Sequence, residues 1–530
     1  MKALLHYAVE LATKFGASYA DARGMVDKLQ TVYNQDRDAP YIENANYITL
    51  GVRVIVNGGW GFASTRQRTD KKSVEVAVAN AIANAIASSK IVRGKVVLAP
   101  EPVHQAVWKA PVKKDPFLVS AHEKSALLHS VADAALKVKG IQITTGALEF
   151  HRITKFFVNS EGSEIEQQFH VSSCGVDAWS FRGGEYQLRS HPTSFGGQYE
   201  QGGWEVIEKW DLLGNIERIA EEAVALSHAD ACPERFTDVI LGGSQVALQV
   251  HESAMHPAEL DRVFGEEENY AGNSFLVPKY LGKLRYGSKL VNITADATIP
   301  GSLGTFAFDD EGVSAQRFPI VENGIFCGYL SSRETAHEFG MQRSGGAMRA
   351  ETGSDMPLIR GTNVSLEPGE GSLEDLIADT KRGILFDTNY SWSIDDKRHN
   401  FQFGTEIAWE IVNGKRKRIL RDASYAGLTT QFWNSCDAIC GPEERIYWGV
   451  PNCGKGQPCQ SMMVGHGAQP ARFRNVKVGV ANRLVVEGAQ GGCGGHRENK
   501  TKLLKTLLHG SRQDKRRMLL GRRSGGVHVH

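Results

Sequence analysis

Leu4, Leu5, Ala8, Leu11, Ala12 and Phe15 recur at helical spacing, with His6, Glu10 and Lys14 between them. The chain therefore opens on an amphipathic helix over about residues 2–15 and not on a secretory leader. An extended stretch follows over 18–34. Residues 48–56 read as a strand, Asn57-Gly-Gly59 as a turn, and 60–64 as the returning strand. Ala-rich segments with Val, Ile or Leu at helical spacing predict helices over 73–89, 121–139 and 216–229, and Pro100, Pro102, Pro111 and Pro116 mark an extended connection. Between 141 and 205 short β-like runs alternate with Gly and Ser turns. Thr237–Gly243 reads as a strand entering a turn, Ser244 as a helix cap, and 245–255 as a helix. Beyond 285 the chain is Gly-rich and β-dominated to about 480, with helical exceptions at 331–340 and 372–382. The pattern predicts an α+β fold: an N-terminal α/β domain over 1–236, then a β-rich, barrel- or sandwich-like domain over 237–480.

Length and composition fit this division. The 530 residues are 41% hydrophobic and 23% charged, which suits a large folded core and two major domains. The net charge of +1 conceals a basic tail: residues 481–530 hold eleven Lys/Arg and three Asp/Glu, leaving the body mildly acidic. The tail reads as a disordered extension and the body offers nothing for nucleic acid. The sequence has no apolar run long enough for a membrane helix, so a cytoplasmic protein without membrane contact is expected. Eight cysteines are few for this length, and four of them fall between 436 and 459, which suggests metal binding or catalysis more than a disulfide framework.

The chemistry begins at His251-Glu252-Ser-Ala-Met-His256. Residues i and i+5 lie ~140° apart around a regular α-helix, so two such imidazoles cannot meet one ion there. The spacing works only where the helix widens or ends; a π-bulge supplies the longer turn, and Pro257 disrupts the regular ladder beside it. With both histidines on a metal, Glu252 adjoins the first ligand and is free to act as general base toward a metal-activated water. Two exposed histidines on different helix faces are the alternative reading. A catalytic zinc site needs a third protein ligand and an open position, and Cys453, between Pro451 and the Gly454-Lys-Gly456 turn, is suited to present a thiolate from a rigid loop.

Together, His251-Glu-Ser-Ala-Met-His256-Pro-Ala-Glu-Leu-Asp-Arg262 and Asn452-Cys453-Gly-Lys-Gly-Gln-Pro458 resemble the TldD side of the TldD/PmbA family. Asn292–Thr298, Asp309–Gly312, Gly328–Arg333, Val464-Gly-His-Gly467, Ala17–Asp21 and Gly59–Ala63 add to the resemblance, which covers about residues 1–480. It implies a metallopeptidase with one zinc ion per chain, held by His251, His256 and Cys453, with Glu252 catalytic. It also implies unfolded peptides as substrates in an enclosed cleft, and a homodimer or a heterodimer with a PmbA-type subunit. PmbA-type chains lack the metal motif, so a catalytically silent peptide-binding partner is the alternative. Met255 departs from the family, which usually has Gly there, and the tail does not resemble it.

Other signals compete. Gly449–Lys455 has phosphate-loop spacing, but Gly456 follows where Ser or Thr is needed and Pro458 discourages the helix. Cys436, Cys440, Cys453 and Cys459 could form a structural four-cysteine site; otherwise Cys436, Cys440 and Cys459 read as small buried residues. Arg360 and His466 are candidates for substrate binding, the first through a substrate carboxylate, the second by facing the cleft. Glu266–Glu268 reads as a solvated charge run.

Overall fold

The computed structural model describes residues 1–481 except Arg68 and Arg93, so the basic tail from residue 482 onward lies outside the described residues. The N-terminal half is an eight-stranded sheet whose central strands, Tyr19–Gln35, Tyr41–Val56, Ile143–Asn159 and Glu164–Arg182, pair antiparallel. Two of these replace the short runs expected between 141 and 205. Their length was hidden because both sheet faces are covered, which removes the in–out alternation that marks a half-buried strand. The Pro-punctuated connection forms an edge strand, Gln105–Lys109, parallel to Glu164–Arg182.

Side chains alternate across the sheet. Ala20, Ala22 and Val32 point to one face, where helices Lys2–Lys14 and Lys71–Ser88 cover one end and Ala121–Lys137 and Leu212–His228 the other. Capping boxes at Asp70/Ser73 and Ser120/Glu123 start the second and third helices. Tyr19, Asp21, Arg23 and Met25 point to the other face, and Met25 packs there with Ala297 and Phe306 of the C-terminal half. Buried charges also cross between the halves: Arg53 donates to Asp21 at 2.9 Å and to Glu311 at 3.1 Å, and Arg189 donates to Glu406 at 2.8 Å.

The C-terminal half is β-rich. Strands Arg382–Ile394, Arg235–Leu241, Ala471–Val480, Ala423–Leu428 and Asn400–Val412 pair in that order, and the last closes onto the first, making a five-stranded barrel. The α+β class is as expected, with the barrel as its C-terminal form. Helix Gly243–Val250 leaves the barrel strand Arg235–Leu241 and runs into the apolar core formed with Ile293, Ile320, Val364 and Phe386. A two-stranded ribbon, Ile446–Lys455 with Gln460–Ala468, lies against this helix. Among the described residues no helix is long and apolar enough to cross a membrane.

Candidate metal centre

The helix changes pitch at the motif. Residues Gly243–Val250 are α-helical, His251–Met255 form a π turn closed by His256 N–H donating to the His251 carbonyl, and His256–Ala258 tighten to a 3₁₀ turn. Pro257 sits where the regular ladder fails. The wider turn turns the two imidazoles toward one another, with ring centroids 4.8 Å apart. Met255 is fully buried, and its sulfur lies over Gly361, where any Cβ would collide with it at 2.1 Å. The Met255 side chain thus fills core space beneath the site.

Cys453 comes from the ribbon rather than from a loop. The pairing register shifts between Val450 and Cys453, and this irregularity aims the thiol at the π turn. Arg360, fully buried, holds the strand there by donating to the Cys453 and Gln460 carbonyls. The Cys453 sulfur lies 3.4 Å from His256 Nε2, and ligand atoms of His251, His256 and Cys453 all fall within 4.8 Å of one another. Tetrahedral zinc with ordinary Zn–N and Zn–S lengths would hold nitrogen and sulfur roughly 3.5 Å apart, so the donor set and its spacing fit. Among the described residues, Cys436 and Cys440 do not belong to this group, and Cys459, read as buried in that alternative, is exposed.

Electrostatics favour the ligand forms. Burial pushes the Cys453 thiol up, but His256 and Arg360 outweigh it and bring it down to about 7. Burial holds His251 down at about 4, so its ring is neutral. His256 Nδ1 lies 3.1 Å from a Glu259 oxygen, which also accepts from Arg262 at 2.7 Å. Burial would raise Glu259, but Lys455, His256 and Arg262 hold it well below the usual carboxylate range. An ionised carboxylate can only accept, so His256 donates through Nδ1 and keeps Nε2 for a metal. Lys455 lies 2.7 Å from both Asp261 oxygens and donates to the Ile359 carbonyl at 2.7 Å. The lysine of the phosphate-loop spacing is therefore a buried structural cation.

Glu252 is buried beside His251. Burial acts to raise it, but Arg398, His251 and His256 lower it further, so the carboxylate stays ionised. Arg398 reaches it from the hairpin between Arg382–Ile394 and Asn400–Val412 and donates from Nη1 to the carboxylate. Its φ of 63° is a left-handed conformation that costs a non-glycine residue about 1 kcal/mol. Thr429 pins the turn by donating to the Arg398 carbonyl at 2.9 Å, and Phe275 N–H by donating to that of Lys397 at 3.0 Å. His466 is fully buried and touches His251, not open space. Arg360 and His466, read as candidate substrate contacts, are thus both enclosed by protein. Sequence reasoning did not single out Arg398, Glu259 or Lys455 as parts of the site. Of the acidic run, Glu266 and Glu268 are exposed while Glu267 is buried and accepts from Gly456 N–H at 3.2 Å.

The chain is thus a mixed α+β fold with a barrel and a buried His–His–Cys cluster that could hold a metal, beside an ionised carboxylate. Family models bear on it directly: PmbA/TldA metallopeptidase domain 1 matches residues 41–85, the central domain 114–229 and the C-terminal domain 234–478. A metalloprotease of Methanothermobacter thermautotrophicus is 31% identical over 87% of this chain and 95% of its own length. A protein of Saccharolobus solfataricus named zinc metalloprotease TldD homolog is 24% identical over 89% of this chain and 98% of its own. The crystal structure of TldE from Thermococcus kodakarensis superposes with a TM-score of 0.69 at 18% identity, covering 90% of this chain and all of that one. The chain belongs to the PmbA/TldD metallopeptidase family.

Proposed function

We propose that the chain is a zinc-dependent peptidase that hydrolyses unfolded peptides, with His251, His256 and Cys453 holding one zinc ion and Glu252 as general base. The observation that carries the reading is the meeting of three ligand residues on and against a π turn, with an ionised carboxylate next in sequence to the first. Zinc held there would supply Lewis acidity to the scissile carbonyl and to the attacking water. Glu252 takes the proton of that water as the new carbon–oxygen bond forms, and returns it to the amine nitrogen as the peptide bond breaks. Arg398 keeps the carboxylate ionised and fixed in direction until then. The peptide lies extended in a cleft, adding a strand to an exposed edge. The chain works in the cytoplasm as a homodimer or beside a PmbA-type subunit.

The name of the Saccharolobus relative supports zinc, and so does the donor set, since imidazole with thiolate suits zinc better than magnesium or calcium. Elemental analysis of the wild type beside Cys453→Ser is the first test. One zinc per wild-type chain and little in the variant is expected; equal zinc in both would remove Cys453 as a ligand. Zinc bound in a wild type that cleaves no peptide would favour the silent-partner alternative.

Metal capture is expected to depend on pH. The ion competes with a proton for Cys453, which titrates near 7, while His251 is neutral down to about 4. Apparent zinc affinity, measured by chelator competition, should therefore fall about tenfold per pH unit below 7 and level off above it. An affinity that is flat from pH 5 to 7 would contradict a thiolate ligand formed in this range.

A further inference from the structure

We infer that His466 is a positioning residue for the metal centre: a neutral imidazole that accepts a hydrogen bond from His251 Nδ1 and so reserves His251 Nε2 for the metal. The inference rests on the zinc reading above. It starts from two contacts on one ring. His466 Nδ1 lies 2.7 Å from the Val364 carbonyl oxygen, and His466 Nε2 lies 2.7 Å from His251 Nδ1.

Direction follows from what each atom can do. A carbonyl oxygen only accepts, so His466 Nδ1 carries a proton. A neutral ring then has a lone pair on Nε2, and His251 must donate to it from Nδ1. That leaves the lone pair of His251 on Nε2. In the reverse order His466 would be a doubly protonated cation, His251 would accept through Nδ1, and its Nε2 would carry hydrogen and could bind no metal. Only the first order makes His251 a ligand.

The surroundings keep this order in place. His466 is fully buried, so water does not compete for either nitrogen. It sits in the strand Gln460–Ala468 between two glycines, and neighbouring side chains crowd both positions. A Cβ on Gly465 would lie 2.2 Å from Asn363 Oδ1, and one on Gly467 would lie 2.7 Å from the Arg445 guanidinium. Gly465 N–H donates to the Thr362 carbonyl at 3.1 Å and Gly467 N–H to Ser365 Oγ at 2.8 Å. These bonds bring Val364 against the imidazole. The two ligand histidines are thus backed differently: His256 by the anion Glu259, His251 by a neutral relay ending on a backbone carbonyl. Groups of this kind typically change metal affinity 10–100-fold when removed.

The test compares His466→Phe, which keeps a ring and loses both nitrogens, with His466→Gln, whose amide can accept from His251 and donate to Val364. Zinc affinity is measured by chelator competition on the full chain, and ¹⁵N shifts of histidine-labelled, metal-free protein report the His251 tautomer. We expect about 10–100-fold weaker zinc binding in His466→Phe, with His251 mixed between tautomers. In His466→Gln we expect affinity within a few-fold of wild type and His251 protonated on Nδ1. Wild-type affinity in His466→Phe would overturn the inference. So would equal loss in both variants with the tautomer unchanged, because that is what a merely structural role produces. A wild type that binds no zinc would remove the zinc reading and this role with it, whereas zinc binding with His251 protonated on Nε2 would overturn this role alone.

Discussion

Glu252→Gln is expected to keep the fold and the zinc and to lose peptide cleavage by about 10²–10⁴-fold, the usual contribution of a positioned general base. Glutamine is the right replacement because of Arg398, whose guanidinium bonds the carboxylate in a buried setting. Alanine would leave that cation without its partner, at a cost of about 3–5 kcal/mol, and a loss of activity could then be a loss of structure. The amide oxygen of glutamine still accepts from Arg398, but it cannot take a proton from water at neutral pH. The measurement is therefore threefold: zinc per chain, melting temperature and turnover of an unfolded peptide. Unchanged zinc and melting temperature with cleavage lost would assign Glu252 the proton transfer. Cleavage retained in that variant would end the mechanism proposed for it, and would point to another base.

The motif was legible because its spacing carried a geometric contradiction. His251 and His256 cannot share an ion on a regular helix, and Pro257 announced where the helix gives way; the π turn is what that spacing demands. The helices at 2–15, 73–89 and 121–139 were legible from periodic apolar positions and lie within two residues of the observed limits. The strands between 143 and 182 were not, because a strand buried on both faces shows no period. Arg398 was invisible for another reason. It meets Glu252 across 146 residues of chain, and no local pattern encodes such a contact. Cys453 was singled out by its neighbours in sequence, but its setting was misread. Pro451 and the glycines suggested a loop, whereas the chain continues as a paired strand with an irregular register, and that irregularity aims the thiol. Glu259 and Lys455 stood in plain view within the two motifs. Their roles depend on burial together, which neither motif reveals alone.

Lys455→Met is expected to be the most destabilising single change near the site. Lys455 is fully buried, with its ammonium against Asp261 at 2.7 Å, Glu259 at 3.2 Å and the Ile359 carbonyl at 2.7 Å. Methionine fits the space but leaves Asp261 and Glu259 facing one another with Arg262 as their remaining close cation. Breaking one side of a buried ion pair typically costs about 3–5 kcal/mol, which for a unit of this size lowers the melting temperature by about 10 °C. The loss should also depend on pH. Glu259 titrates well below an ordinary carboxylate, so it contributes stability above the unfolded-state value that disappears as pH falls through the folded one. Lys455 is the foremost of the charges that lower it. The gap between wild type and variant should therefore be widest near neutrality and narrow on acidification, as Glu259 is protonated. Replacing Asp261 by leucine in the same chain should recover much of the loss, because an apolar pair in place of a buried ion pair is often neutral. Thermal melts of the metal-free proteins, run from pH 8 down to below the ordinary carboxylate range where Glu259 titrates, read all three expectations. A variant that melts with wild type at neutral pH would show that Lys455 is dispensable to the fold, and that Arg262 and His256 suffice to hold Glu259 in place.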